Sequence, residues 1–113
     1  MALMSAYTET APTRAEVDAF SGVTVLQFGT NWCGFCIAAE PHIVQALDAF
    51  RAAHPDLRHF KVEDGPGRPL GRSFKVKLWP TVIFMKDGVE VARVVRPNSA
   101  QAVSDAARQV DSQ

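Results

Sequence analysis

The sequence predicts an α/β fold, a central mixed β-sheet flanked by helices on both faces with a further helix at the N-terminal end. Three observations carry that reading. Apolar, β-branched runs such as VTVLQF at residues 23–28 alternate along the chain with segments whose apolar residues recur at helical spacing. That is the pattern of parallel strands joined by right-handed crossovers. Asp87-Gly88 stands between two strand-like runs and is a two-residue hairpin signal, so the sheet gains an antiparallel pair. The 113 residues are 47% apolar and show neither repeat nor linker, which suits one compact core.

The elements follow in order. Residues 1–12 are mostly small and polar and are expected to form a flexible N-terminus, which leaves residues 13–113 as a single domain. Thr13-Arg14-Ala15-Glu16 has the capping-box pattern, with Val17 and Phe20 as the first apolar face, so a short helix starts there and Gly22 ends it. Residues 23–28 form the first strand. A long helix is expected from near Cys33 to about Ala53, with Ile37, Val44, Leu47 and Phe50 on its apolar side. Pro41 lies inside it, where a proline removes a hydrogen bond and should kink the helix. Residues 57–62 alternate as a strand, residues 64–71 are a Gly/Pro-rich loop, and a short helix is expected over residues 72–74. Residues 81–85 and 89–95 are the hairpin strands. Asn98 or Ser99 caps a last helix with Val103, Ala107 and Val110 on one face.

Charge narrows the function classes. Lys plus Arg and Asp plus Glu number 12 each, for a formal net charge of zero. A nucleic-acid binder is expected to carry a basic face, and an electrostatic membrane anchor a basic cluster, so neither partner is expected. No apolar run approaches the roughly 20 residues of a membrane helix. The opening MALMSAYTETAPTR has no basic stretch followed by an apolar one, so a signal peptide is not read there and a cytoplasmic protein is expected. A monomer is expected as well.

Asn31-Trp32-Cys33-Gly34-Phe35-Cys36 holds both cysteines of the chain. Such a pair serves as a metal half-site, a structural clip or a redox centre. At the first turn of a helix, the Cys33 sulfur meets unpaired backbone N–H groups and the positive end of the helix dipole. Both favour thiolate, so its pKa is expected below the free value of about 8.5. Cys36 lies one turn on, on the same face but deeper. One sulfur then attacks an outside disulfide and the other resolves the mixed disulfide. A zinc site wants about four ligands. Beyond the pair, His42, His54 and His59 show no finger-like spacing, so no metal is expected. A structural disulfide over so short a loop gains little. Redox chemistry is the reading best supported.

With these residues in view, the chain resembles the thioredoxin family. The likeness runs through VTVLQF, Trp32-Cys33-Gly34-Phe35-Cys36, Pro41, Lys61, Trp79-Pro80-Thr81 and Asp87-Gly88, from about Arg14 to Val110. It implies a thioredoxin fold and thiol–disulfide oxidoreductase activity, with Cys33 as nucleophile and Cys36 as resolving thiol. It implies that the pair cycles through a Cys33–Cys36 disulfide and needs no bound cofactor. It further implies a cis bond before Pro80, beside the cysteines. Trp79 would then offer its backbone N–H and C=O to an extended substrate segment, as an added strand would. Trp32 would cover the edge of the site and Phe35 would contact partners. The implied partners are protein disulfides and a separate reductase that supplies electrons.

Four positions depart from the family pattern. Thioredoxins read Cys-Gly-Pro-Cys, whereas Gly34-Phe35 stands here. Losing that proline frees a backbone N–H near the sulfurs, so a couple less reducing than thioredoxin's, about −270 mV, is expected. Gln27 stands where the family has a buried aspartate. It can bond a water or Lys61 but cannot act as a base, which leaves Lys61 without its usual partner and predicts slow resolution by Cys36. Gly29 replaces a tryptophan and should open the floor of the site. Arg96-Pro97 replaces a glycine at the docking surface, so Arg96, like Trp79, is expected to select different partners.

The favoured function is a protein-disulfide reductase of the cytoplasm. Two alternatives stand beside it: a disulfide oxidase or isomerase outside the cytosol, and a non-enzymatic binding or assembly protein on the same fold.

Overall fold

The computed structural model describes residues 6–112. The chain runs α1 (Arg14–Ala19), β1 (Val23–Gly29), α2 (Gly34–Ala53), β2 (Arg58–Glu63), α3 (Pro69–Ser73), β3 (Thr81–Lys86), β4 (Val89–Val95) and α4 (Ala100–Ala107), then a 3-10 turn at Arg108–Ser112. The strands make one sheet in the order β2-β1-β3-β4. β1 and β2 are parallel, while β3 is antiparallel to both β1 and β4. This is the mixed sheet, with helices on both faces, that the sequence predicts.

Alternation along the strands builds a core on each face. Val25, Val82 and Phe84 pack with Ile43, Leu47 and Phe50 of α2 and Val103 of α4. Leu26, Phe28, Ile83 and Met85 point the other way, onto Val17 of α1 and Leu70 of α3. Gln27 falls between Val25 and Gly29 on the α2 side, and only 1% of it is exposed.

Local chemistry sets the element ends. Glu16 N–H donates to Thr13 Oγ1 at 3.1 Å and Thr13 N–H donates to Glu16 Oε1 at 2.8 Å, the reciprocal cap of α1. Asp87 and Gly88 take φ of 51° and 80°, the left-handed pair that a tight hairpin needs. Gly88 is also required because a Cβ there would run into the Asp18 carbonyl. α2 continues through Pro41. α3 starts at Pro69 rather than near residue 72, because proline at a first helical position is already set in φ.

The N-terminal segment differs more. Part of the stretch expected to be flexible, residues 1–5, lies outside the described residues. Tyr7, however, is buried, and Thr8 forms a parallel bridge with Val62. Thr8 N–H donates to Lys61 O at 3.0 Å and Glu63 N–H donates to Thr8 O at 2.8 Å. One large aromatic among small residues anchors this segment on the free edge of β2.

Candidate active site

β1 ends at Gly29, and Asn31 to Cys33 carry the chain into α2. Cys33 is the N-cap of α2, and its Sγ accepts the Cys36 N–H at 3.2 Å. A cap position presents the sulfur to the positive end of the helix. Both cysteines are free thiols, with Cys33 8% exposed and Cys36 2% exposed. Burial first, then the hydrogen bond with Cys33, pushes the Cys36 thiol up to about 12. The Thr30 backbone N–H and the Tyr7 side chain act against that rise.

An apolar collar rings the pair. Trp32, Phe35 and Ile37 are 74%, 58% and 61% exposed. The Trp32 and Trp79 rings meet edge to face at 5.9 Å, and Trp79 also packs on the cysteines. Trp79 Nε1 donates to Asp64 Oδ2 at 2.8 Å. The Trp79–Pro80 peptide bond is cis. Thr81 is buried and its hydroxyl donates to Leu78 O at 2.6 Å. Arg96, at φ 49°, lays its guanidinium 3.8 Å from the centre of the Phe35 ring. The Arg96 Nε donates to Trp79 O at 2.8 Å, so the carbonyl expected to meet a substrate strand is engaged by this side chain. Gly34 has open space around it and plays no steric part.

Beneath the sulfurs lies a polar cluster. Gln27 Nε2 donates to Tyr7 Oη at 2.9 Å and to Glu40 Oε1 at 2.9 Å. Lys61 Nζ reaches Glu40 Oε2 at 2.6 Å, and each side chain is only 8% exposed. His59 Nε2 lies 3.0 Å from Gln27 Oε1. Burial, then the charges of Arg51 and Lys61, holds the His59 imidazole down to about 4. Tyr7 is raised far above an ordinary phenol, chiefly by burial.

The structure thus gathers Trp32, Cys33, Phe35, Cys36, Trp79, Pro80 and Arg96 at one end of the sheet, with Gln27 and Lys61 behind them. Two expectations are corrected. Lys61 does not lack an acidic partner, because Glu40 of α2 supplies the carboxylate that position 27 does not. The floor at Gly29 is not open, because the Tyr7 ring fills it: a Cβ there would lie 2.9 Å from Tyr7 Cζ. Pro41 follows Glu40 in α2 and is itself exposed. Of the remaining histidines, His54 meets Asp111 at 3.0 Å. Among the described residues, no group of three His, Cys, Asp or Glu is placed to hold a metal, and no helix is long and apolar enough to cross a membrane.

Sequence reasoning missed Glu40 and Tyr7. The signal for Glu40 was there. It lies four residues after Cys36, on the buried stripe of α2 formed by Cys36, Ala39, Ile43 and Leu47, where a lone carboxylate needs a buried cation.

The thioredoxin family profile matches residues 6–109. The chain belongs to the thioredoxin family. It is 37% identical over 76 residues to the thioredoxin of Chlamydia trachomatis, covering 66% of this chain and 70% of that one. It is 30% identical over 71 residues to thioredoxin H-type of Fagopyrum esculentum, covering 63% of this chain and 58% of that protein. It spans 41% of thioredoxin-2 from Pyricularia oryzae, so about half the length of such curated relatives is matched. Its fold is similar to reduced thioredoxin 2 from Pseudomonas aeruginosa, with a TM-score of 0.80, 48% identity, and coverage of 98% of this chain and 100% of that one.

Proposed function

We propose that this thioredoxin-family chain reduces or exchanges protein disulfides through its Cys33–Cys36 pair. The observation that carries the reading is the asymmetry of the sulfurs. Cys33 caps α2 inside an apolar collar, and its Sγ already accepts a backbone N–H. Cys36 is buried behind it and holds its proton. Cys33 therefore attacks the incoming disulfide, and the partner's other sulfur leaves as a thiolate. Cys36 then attacks Cys33 Sγ, closes the intramolecular disulfide and releases the second sulfur of the partner. Two electrons from a separate reductase reopen the pair. Trp32, Phe35 and Ile37 supply apolar contact to a partner. A substrate strand that pairs with the Trp79 backbone displaces the Arg96 side chain from the Trp79 carbonyl.

We place the chain in the cytosol as a monomer, and cell fractionation checks the compartment. The exchange reading is tested by trapping. Cys36→Ser is expected to accumulate a covalent adduct between Cys33 and a disulfide protein such as insulin, seen by mass spectrometry and released by reductant. Cys33→Ser is expected to form none. Equal trapping by both variants would contradict the assignment.

A further inference from the structure

Tyr7 is remote in sequence from the cysteine motif, yet it lies against Cys36. A methyl group built on Gly29 would sit 2.6 Å from Cys36 Sγ, 2.9 Å from Tyr7 Cζ and 3.0 Å from Tyr7 Oη. Sulfur and phenol thus converge over Gly29, which has no side chain to separate them. The tyrosine is held in place from several sides. Its N–H donates to Asn31 Oδ1 at 2.8 Å, and Asn31 Nδ2 donates back to Tyr7 O at 3.1 Å. Lys61 Nζ lies 4.7 Å from the ring centre.

The direction of the hydrogen bonds follows from what each group is able to donate. A carboxylate only accepts, so the Gln27 atom facing Glu40 Oε1 is the amide nitrogen. That fixes Gln27 Oε1 toward His59, and the His59 Nε2 facing it carries a hydrogen. The second amide N–H of Gln27 enters Tyr7 Oη. The phenol oxygen accepts there, so its own hydrogen is directed elsewhere, and the sulfur of Cys36 faces it.

We propose that Tyr7 O–H donates a hydrogen bond to the Cys36 sulfur as that sulfur becomes a thiolate, keeping its own proton, and that Gln27, Glu40, Lys61 and His59 aim that hydrogen. The proposal rests on Cys36 being the resolving thiol. The Thr30 backbone also favours the charged form of that sulfur. A cavity of about 350 Å³, lined by Tyr7, Thr30, Cys36, Glu40 and Lys61, opens beside it and gives the proton a way to solvent. The step balances without a further reactant. The Cys36 S–H proton passes to water, the sulfur forms a bond to Cys33 Sγ, and the bond from Cys33 to the partner sulfur breaks. The electron pair leaves on the partner sulfur, which takes up a proton. The charged or titratable groups around Cys36 are Cys33, Tyr7, Glu40 and Lys61, with His59 behind Gln27.

A chromogenic aryl disulfide separates the two steps. Attack by Cys33 releases one coloured thiol in a phase that depends on reagent concentration. Resolution by Cys36 releases the second in a phase that does not. Tyr7→Phe keeps the ring over Gly29 and removes the donor. It should leave the first phase unchanged, slow the second about tenfold near neutral pH, the worth of a hydrogen bond to a charged group, and move the second phase's pH profile upward. Gln27→Met leaves the tyrosine but not its orientation, and should slow the second phase by less. The double variant should be no slower than Tyr7→Phe alone. A second phase and pH profile superimposable on the unmodified protein would overturn the proposal. Equal slowing of both phases by Tyr7→Phe would overturn it too. If the unmodified protein never releases the second thiol, the exchange reading itself falls and the proposal with it.

Discussion

His59 shows how a single side chain acquires a property its identity does not announce. In the unfolded chain an imidazole takes up a proton near pH 6.5. In the folded chain burial, aided by Arg51 and Lys61, holds it down to about 4. Between those values the unfolded chain binds a proton that the folded chain refuses. Stability is therefore complete above about pH 6.5 and falls as the pH drops toward about 4, by up to roughly 3 kcal/mol. Denaturant titrations across that range should show this slope in the unmodified protein and a shallower one in His59→Gln. Parallel slopes would contradict the assignment. Nothing in the sequence around His59 carries this information, because it depends on burial in the folded chain and on charges from α2 and β2. Cys33 and Cys36 are different. Their roles are legible because strand, cap and helix are contiguous in sequence, so the chemistry follows from local order alone.

At the scale of elements, Glu40 ties three of them together. It sits on α2, accepts from Gln27 of β1 and pairs with Lys61 of β2. The pair is buried, and removing Glu40 takes away the carboxylate that Lys61 Nζ meets at 2.6 Å. Glu40→Gln is therefore expected to destabilise the fold by about 3 kcal/mol, the low end for breaking a buried pair, as read by chemical denaturation. A loss of a few tenths, the size seen for exposed pairs, would show that Lys61 swings to solvent. Most elements were legible because each has its own signal: the reciprocal cap at Thr13, the β-branched run of β1 and the Asp87-Gly88 turn. The tie between them was not, since a carboxylate moved from a strand to the facing helix leaves no trace in either segment's pattern. The N-terminal anchor escaped for a similar reason. Tyr7 and Thr8 form too short a stretch for periodicity, and their partners Asn31, Lys61 and Val62 are distant in sequence.

For the whole molecule, the sheet separates two apolar cores and brings one end of β1, the head of α2 and the turn before β3 to a common site. The fold class was legible because alternation of strand and helix admits few arrangements. The docking face was legible only in part. Trp32 and Phe35 lie beside the cysteines in the chain, whereas the position of Arg96 across Phe35 and the Trp79 carbonyl depends on tertiary placement. Cys33 and Cys36 are proposed to form a reversible dithiol–disulfide couple whose reduced state is favoured by backbone N–H groups near Cys33, the Cys36 N–H at 3.2 Å among them. The measurement that tests it most directly is the equilibrium reduction potential of the pair, titrated in glutathione buffers with thiol trapping and mass readout. The expected result is a two-electron couple less negative than thioredoxin's value of about −270 mV. A potential at or below that value, or a pair that never closes to the intramolecular disulfide, would contradict it.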